Sequence, residues 1–309
     1  MARAPSPATE LRTVRDLLRY AVSRFNAAHL TYGHGTSTAL DEAAFLVLEG
    51  LSLPIDDLNP WLDARLTTSE REKLIELFEA RIETRKPAPY LVGKAYVRGI
   101  PFNVDERVIV PRSYLAELLL DGTLGEDNLG VVDEPGAVLD LCTGSGCLAI
   151  IAAMVYPDAH VDAVDLSPDA LEVARSNLDL HDLADRIELH EGSLFAPLGK
   201  RSYDLIITNP PYVAAAEVDA FPDEYASEPQ MAHLGGEDGL NLVREIFAAA
   251  PDHLNAGGGL LCEIGTGREI LEAEFPHLPF LWLDTAESEG EVFWLNAQDF
   301  APAQILTSR

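Results

Sequence analysis

The chain has 309 residues, with 22 Lys+Arg against 51 Asp+Glu, a formal net charge of −29. Hydrophobic residues make up 47% and charged residues 24%, and the 20 Pro and 22 Gly follow no period, which excludes a disordered or collagen-like chain. Such a carboxylate surplus argues against a surface that tracks a phosphate backbone, and the length makes two domains the expectation.

Three cysteines, Cys142, Cys147 and Cys262, form neither a disulfide framework nor a metal-ligand spacing, and no metal is expected. The opening Met1-Ala2-Arg3-Ala4-Pro5-Ser6 contains no apolar core of a signal peptide, and the longest apolar run, Leu148 to Tyr156, is too short to span a bilayer. A soluble, cytoplasmic protein is expected.

Residues 1–88 read as a helical domain. Leu11, Val14, Leu17, Leu18, Ala21 and Phe25 recur at helical spacing. A second helix starts near Asp41-Glu42 and stops at Gly50. A third takes Thr68 or Ser69 as its N-cap, carries Leu74, Leu77 and Phe78 on one face, and ends before Pro87. Residues 89–112 switch to period two. Tyr96-Val97-Arg98 and Arg107-Val108-Ile109-Val110 read as a hairpin around a Gly99–Pro101 interruption.

Residues 113–309 alternate strand and helix, the pattern of an α/β domain with a mostly parallel sheet. Strands are expected at 137–141, 161–164, 187–190, 204–208 and 259–264, the last after a Gly257-Gly258-Gly259 turn. Two more, at 280–283 and 291–295, lack a helix between them and should be antiparallel, reversing the sheet edge. Helices are expected at 148–156 and 171–178.

The first of these strands runs through Asp140 into Cys142-Thr143-Gly144-Ser145-Gly146-Cys147-Leu148-Ala149. A Gly-x-Gly-x-x-Ala spacing allows a tight turn, close approach of backbone to a ligand, and close packing of the next helix, whose N-terminus favours an anionic group. Nineteen residues beyond Gly146, Asp165 follows the second strand, placed to accept hydrogen bonds from a ribose, with Leu166 beside it. This pattern suits a dinucleotide enzyme as well as one using S-adenosylmethionine; alternatively the glycines only turn the chain and Asp165 caps a helix.

The 204–208 strand delivers Asn209-Pro210-Pro211-Tyr212 to a sheet's carboxyl end, where open α/β sheets bind ligands. By composition, this tetrapeptide is a chance event on the order of one in a thousand. Two prolines donate no N–H, so the turn offers carbonyls only. The Asn209 side-chain oxygen and the Pro210 carbonyl can both face one –NH₂ group, with Tyr212 as a flat neighbour. An amide or exocyclic-amine nitrogen must become tetrahedral to accept a methyl group, and two acceptors on its hydrogens stabilise the charge that develops.

In this order and spacing, the glycine loop, Asp165 and Asn209-Pro210-Pro211-Tyr212 resemble the protein-glutamine methyltransferases, seven-stranded class I (Rossmann-like) enzymes, over nearly the whole chain. Three stretches are most similar to the members acting on ribosomal protein three of the large subunit: Val110-Pro111-Arg112-Ser113 with Glu117, Asp140 to Cys147, and Phe221 to Tyr225 followed by Glu228-Pro229 and Gly235 to Leu240. The release-factor members usually carry Gly at the position of Cys142 and a different segment at 111–117.

The resemblance implies S-adenosylmethionine as cofactor, leaving S-adenosylhomocysteine, bound by Asp140, Cys142, Thr143, Gly144, Ser145, Gly146, Asp165, Leu166, Ser193, Leu194 and Asn209. Ser193 and Leu194 stand at the adenine, where many relatives carry an acid. Catalysis falls to Asn209, Pro210 and Tyr212, and Pro211, Arg112 and Glu228 join them at the substrate. Arg112 and Glu117 read equally as an inter-domain ion pair. Residues 213–239 are expected to cover the target glutamine. Glu263 reads as structural, the histidines (His190 and His233 among them) as scattered, and Tyr114 has no assigned role.

The expected partner is a basic ribosomal protein, with no nucleic-acid specificity and no membrane. Four rival readings stay open: a release-factor glutamine methyltransferase, an adenine-amino methyltransferase, a nicotinamide-dependent dehydrogenase, and a non-catalytic assembly factor.

Overall fold

The computed structural model describes residues 7–125, 134–218 and 220–300; the opening Met1–Ser6, read above for a leader, lie outside them. The chain forms two compact units. One holds the residues up to Glu106 together with Val110–Arg112 and Phe221–Glu228; the other holds Arg107–Ile109, Ser113–Ala220 and the chain from Pro229 onward. The eight residues Phe221–Glu228 thus belong with the N-terminal helices, although the sequence pattern had placed them wholly in the α/β part.

In the first unit, α1 (Pro7–Glu10), α2 (Val14–Ala27), α3 (Ala39–Gly50), α4 (Thr68–Thr84) and α5 (Ala88–Val92) precede a hairpin of β1 (Lys94–Val97) and β2 (Ile100–Asn103). Leu17, Phe25, Leu46, Leu74 and Phe78 meet in one buried cluster. The N-cap of α4 is Thr67, not Thr68 or Ser69: its hydroxyl accepts the Glu70 N–H while Glu70 reaches back to the Thr67 N–H. Gly50 ends α3 for a packing reason, since a Cβ there would lie 2.6 Å from Leu74 Cδ2. Arg81 is fully buried, its Nε donating to Glu42 (2.7 Å) and an Nη to the Thr31 carbonyl (2.9 Å).

The hairpin turns at Arg98 (φ +50°) and Gly99 (φ +82°), a two-residue turn with both residues left-handed, which pairs Lys94 with Asn103. Arg107–Val110 is therefore not its second strand. That pairing is closed by residue 103, and Arg107 and Val108 form a turn and a bend beyond it, outside any strand.

In the second unit, α6 (Leu115–Leu120), β3 (Ala137–Leu141), α7 (Cys147–Val155), β4 (His160–Asp165), α8 (Pro168–Leu180), β5 (Ile187–Glu191), β6 (Tyr203–Thr208), α9 (Ala215–Val218), α10 (Asn241–His253), β7 (Leu254–Glu263), α11 (Arg268–Glu274), β8 (Leu281–Leu283) and β9 (Val292–Asn296) build an α/β layer fold. Among the described residues the sheet has seven strands in the order β5-β4-β3-β6-β7-β9-β8. β3 to β7 run parallel, and β9 is antiparallel to both β7 and β8. The reversed strand is consequently not the edge. β9 buries Val292 to Leu295, whereas the three-residue β8 leaves Leu281 exposed and takes the outside, as short strands do.

The glycine run Gly257-Gly258-Gly259 lies inside β7 instead of turning ahead of it. Neighbours fill the side-chain space of two of the three: a Cβ on Gly258 would sit 2.6 Å from the Asp204 carbonyl, and one on Gly259 2.1 Å from the buried Trp294 ring, whereas Gly257 is kept by its left-handed φ of +87°. No helix among the described residues is long and apolar enough to cross a membrane.

Candidate active site

β3 ends at Leu141, and Cys142 just beyond it adopts a left-handed φ of +59°, followed by Gly144 at +55° and Gly146 at +79°. The loop needs these values because it reverses from strand to helix within five residues. At Gly146 the constraint is also spatial, a Cβ there lying 3.2 Å from Ala174 Cβ on α8. At Gly144 a Cβ would meet nothing within 4 Å, leaving that backbone open to a ligand.

Asp140, fully buried, closes the loop from beneath. Its Oδ2 accepts the Thr143 hydroxyl (2.5 Å) and the Ala149 N–H (3.0 Å), while Oδ1 is buried with no hydrogen-bond partner among the described residues. Burial pushes its carboxyl up to about 7 despite those two bonds.

Asp165 stands at the carboxyl end of β4 and accepts the Gly144 N–H on Oδ2 and the Ser167 N–H on Oδ1, each at 2.8 Å. It does not cap α8. Ser167 does, accepting the Ala170 N–H, with Pro168 in the first turn. A carboxylate offers about four acceptor sites, so two remain for hydroxyls of a ligand. Burial raises the Asp165 carboxyl, opposed by the N–H bonds.

Cys142, Gly144, Asp165, Leu166, Ser193, Leu194, Asn209 and Pro211 line one cavity. Asp140, Thr143, Ser145, Gly146, Pro210 and Tyr212 lie outside its lining. Arg112 and Glu228 belong to the other unit, where they pair with each other: two Arg112 nitrogens donate to the two Glu228 oxygens at 2.7 and 2.8 Å, and the Val110 N–H adds a bond at 2.9 Å. Glu117 accepts the Ala286 N–H at 3.0 Å.

β6 carries Asn209 to the cavity wall. Among the described residues neither the Asn209 side chain nor the Pro210 carbonyl has a hydrogen-bond partner. The backbone beyond them is clamped. The Val213 N–H donates to the His233 carbonyl and the Gly235 N–H to the Val213 carbonyl, both at 2.9 Å. Gly235 and Gly239 permit this approach, because Cβ atoms there would lie 2.7 Å from the Pro211 carbonyl oxygen and 2.2 Å from that of Tyr212. The Tyr212 ring packs on Gly265, and its hydroxyl donates to Glu263 at 2.9 Å.

With this geometry in place, the similarities to known proteins become informative. A family model described as methyltransferase small domain matches residues 119–222. The chain is 56% identical to the ribosomal protein uL3 glutamine methyltransferase of Bradyrhizobium diazoefficiens, covering 94% of this chain and 92% of that one. It is 53% identical to the protein of the same name from Bordetella pertussis, over 94% and 96% of the two chains. The chain belongs to the ribosomal protein uL3 glutamine methyltransferases. Among solved structures, a methyltransferase from Pyrococcus furiosus matches 63% of this chain and 88% of its own, with a TM-score of 0.47 and 16% identity.

S-adenosylmethionine is the methyl donor such a family implies, and the residues present fit it. The cavity offers the free acceptor sites of Asp165 for ribose hydroxyls, open backbone at Gly144, and apolar walls at Val164, Leu166 and Leu194 for a flat base. Sequence reasoning missed several walls of this cavity, among them Arg107 to Ile109, Pro229, Met231, Ala232 and Leu242. The signal for the second group was available: Gly235 to Leu240 marks a loop folded tightly against the Asn209-Pro210-Pro211-Tyr212 turn.

Proposed function

We propose that the chain transfers the methyl group of S-adenosylmethionine to the side-chain amide nitrogen of a glutamine in ribosomal protein uL3, the large-subunit ribosomal protein three. The observation carrying this reading is the pair of unpartnered acceptors, the Asn209 side-chain oxygen and the Pro210 carbonyl, at the carboxyl end of β6 beside the Asp165 cavity. Bound S-adenosylmethionine supplies an electrophilic methyl group. The protein's part is to hold the amide: two acceptors grip both hydrogens of one –NH₂, favour a tetrahedral nitrogen, and stabilise the positive charge there. No base is required beforehand, since the proton can leave afterwards.

In this reading Gly144 and Gly146 admit the methionine end of the cofactor to the start of α7, with Asp140, Cys142, Thr143 and Ser145 shaping the loop. Asp165 takes the ribose with Leu166 as an apolar wall beside it, Ser193 and Leu194 border the adenine, and Pro211 and Tyr212 flank the amide. Arg112 and Glu228, the helical unit and the 213–239 segment serve the protein substrate. A lysine- and arginine-rich ribosomal protein is drawn to a chain of net charge −29, and ribosome assembly places the enzyme in the cytoplasm.

The test uses labelled S-adenosylmethionine with purified uL3, a peptide chain release factor, and adenine-containing DNA and RNA in parallel. Label on a uL3 glutamine, reduced about 10²–10³-fold in rate by Asn209→Ala, is the expected outcome. Label on the release factor or nucleic acid, with none on uL3, overturns the reading.

A further inference from the structure

Glu263, the last residue of β7, is fully buried, and the transfer chemistry above gives it no part. Its surroundings are those of a hub. Oε1 accepts the Tyr212 hydroxyl at 2.9 Å, and Oε2 accepts the Ser113 hydroxyl at 2.7 Å and the Tyr114 N–H at 3.0 Å. All three partners donate. An ionised carboxylate, which only accepts, satisfies them together, whereas a protonated one carries a hydrogen that one of the two hydroxyls must turn round to accept. The groups from other elements that act on its charge, or feel it, are Glu291 ahead of β9, Tyr212 beyond β6, Tyr114 before α6, Cys147 on α7 and its own neighbour Cys262. Burial pushes Glu263 up to about 7, while the bonds from Ser113, Tyr212 and Tyr114 pull it down.

The Tyr212 ring is gripped at both ends. Its edge lies on Gly265, where a Cβ would come within 2.8 Å of the ring, and its hydroxyl is held by Glu263. Gly265 is two residues beyond Glu263, so the last residue of β7 supplies the tether and the turn that follows it supplies the seat. Three residues before Tyr212 stands Asn209, and two prolines between them leave the turn little freedom to deform. Orientation fixed at Tyr212 is therefore passed to the acceptors.

We propose that Glu263 is a positioning residue for methyl transfer: its buried carboxylate, itself oriented by Ser113 and the Tyr114 N–H, holds the Tyr212 hydroxyl and so sets the Asn209-Pro210-Pro211-Tyr212 turn. The proposal rests on the glutamine-transfer reading for its kinetic arm only. It binds neither cofactor nor substrate, and neither Glu263 nor Tyr212 lines the cofactor cavity.

The experiment compares the full-length wild type with Glu263→Gln, Tyr212→Phe and the double variant on uL3. Glu263→Gln should lower kcat by about 10–10²-fold, the scale of a small misplacement, with KM for S-adenosylmethionine unchanged. The double variant should be no slower than the worse single one. In parallel, with ring-¹³C-labelled tyrosine, the Tyr212 signal (assigned by its loss in Tyr212→Phe) should move in a titration step near neutral pH that Glu263→Gln abolishes. Should Glu263→Gln fail to fold, Ser113→Ala removes one bond that favours the carboxylate and should shift that step to higher pH.

Unchanged kcat in Glu263→Gln, losses that multiply in the double variant, or a Tyr212 signal that does not titrate would each overturn the proposal. If the wild type leaves uL3 unmodified, the transfer reading falls instead. The tyrosine titration then decides the positioning claim alone.

Discussion

At Asp165 one carboxylate meets two backbone donors and keeps two acceptor sites for a ligand. An amide in its place must turn its –NH₂ toward either the Gly144 or the Ser167 N–H, setting donor against donor. Asp165→Asn should therefore weaken S-adenosylmethionine binding by about 10- to 100-fold, the scale of one or two lost hydrogen bonds, read by titration calorimetry. An unchanged Kd would remove the ribose role. That Asp165, Gly144 and Asn209 share one cavity was legible in the sequence because local backbone places each of them: a positive φ, a strand end, a turn without donors. The Arg112–Glu228 pair spans 116 residues and the Ser113–Glu263 bond 150, and no local pattern encodes either meeting. Both carboxylates were noticed, but the roles given to them lacked their partners.

Among the elements, strands were legible where burial alternates or runs unbroken, as in β3, whose bounds match the strand expected at 137–141. They were not legible where shape complementarity decides. Three consecutive glycines read as a turn, yet they lie within β7, and at Gly258 and Gly259 the β6 backbone and the Trp294 ring occupy the side-chain space. The reading at Arg107–Val110 failed for the opposite reason, since an apolar alternation had no free strand left to pair with. The β7 arrangement predicts that Gly259→Val, a β-favouring substitution by composition, is harmful. Its Cβ would overlap Trp294, and overpacking of this kind costs about 1–3 kcal/mol. The urea midpoint should fall with the denaturant slope unchanged, and an equal or higher midpoint would mean that Trp294 can move aside.

Among the described residues, two of the buried carboxyls in the second unit, Asp140 and Glu263, are pushed up to about 7. Their ordinary values of 3.8 and 4.5 apply once the chain unfolds. A raised carboxyl favours the fold while protonated, so this contribution is complete below the ordinary range and is lost as pH rises through about 7. The cofactor-free chain should then show a lower urea midpoint at pH 8.5 than at pH 6. Glu263→Gln should flatten part of that fall, and a midpoint that rises across the same interval would contradict the assignment. If the active-site turn needs Glu263 ionised, the state that orients it is the state that costs stability.

The Phe221–Glu228 segment also imposes an order on biosynthesis. Arg85 and Arg112 are made early, but their carboxylate partners Glu224 and Glu228 lie 139 and 116 residues downstream. At elongation rates of about 5–20 residues per second, these cations wait roughly 6–28 s for their counter-charges to be translated. The N-terminal unit therefore cannot reach its finished form as a nascent domain, and its completion is timed by synthesis of the segment that follows the Asn209–Tyr212 turn.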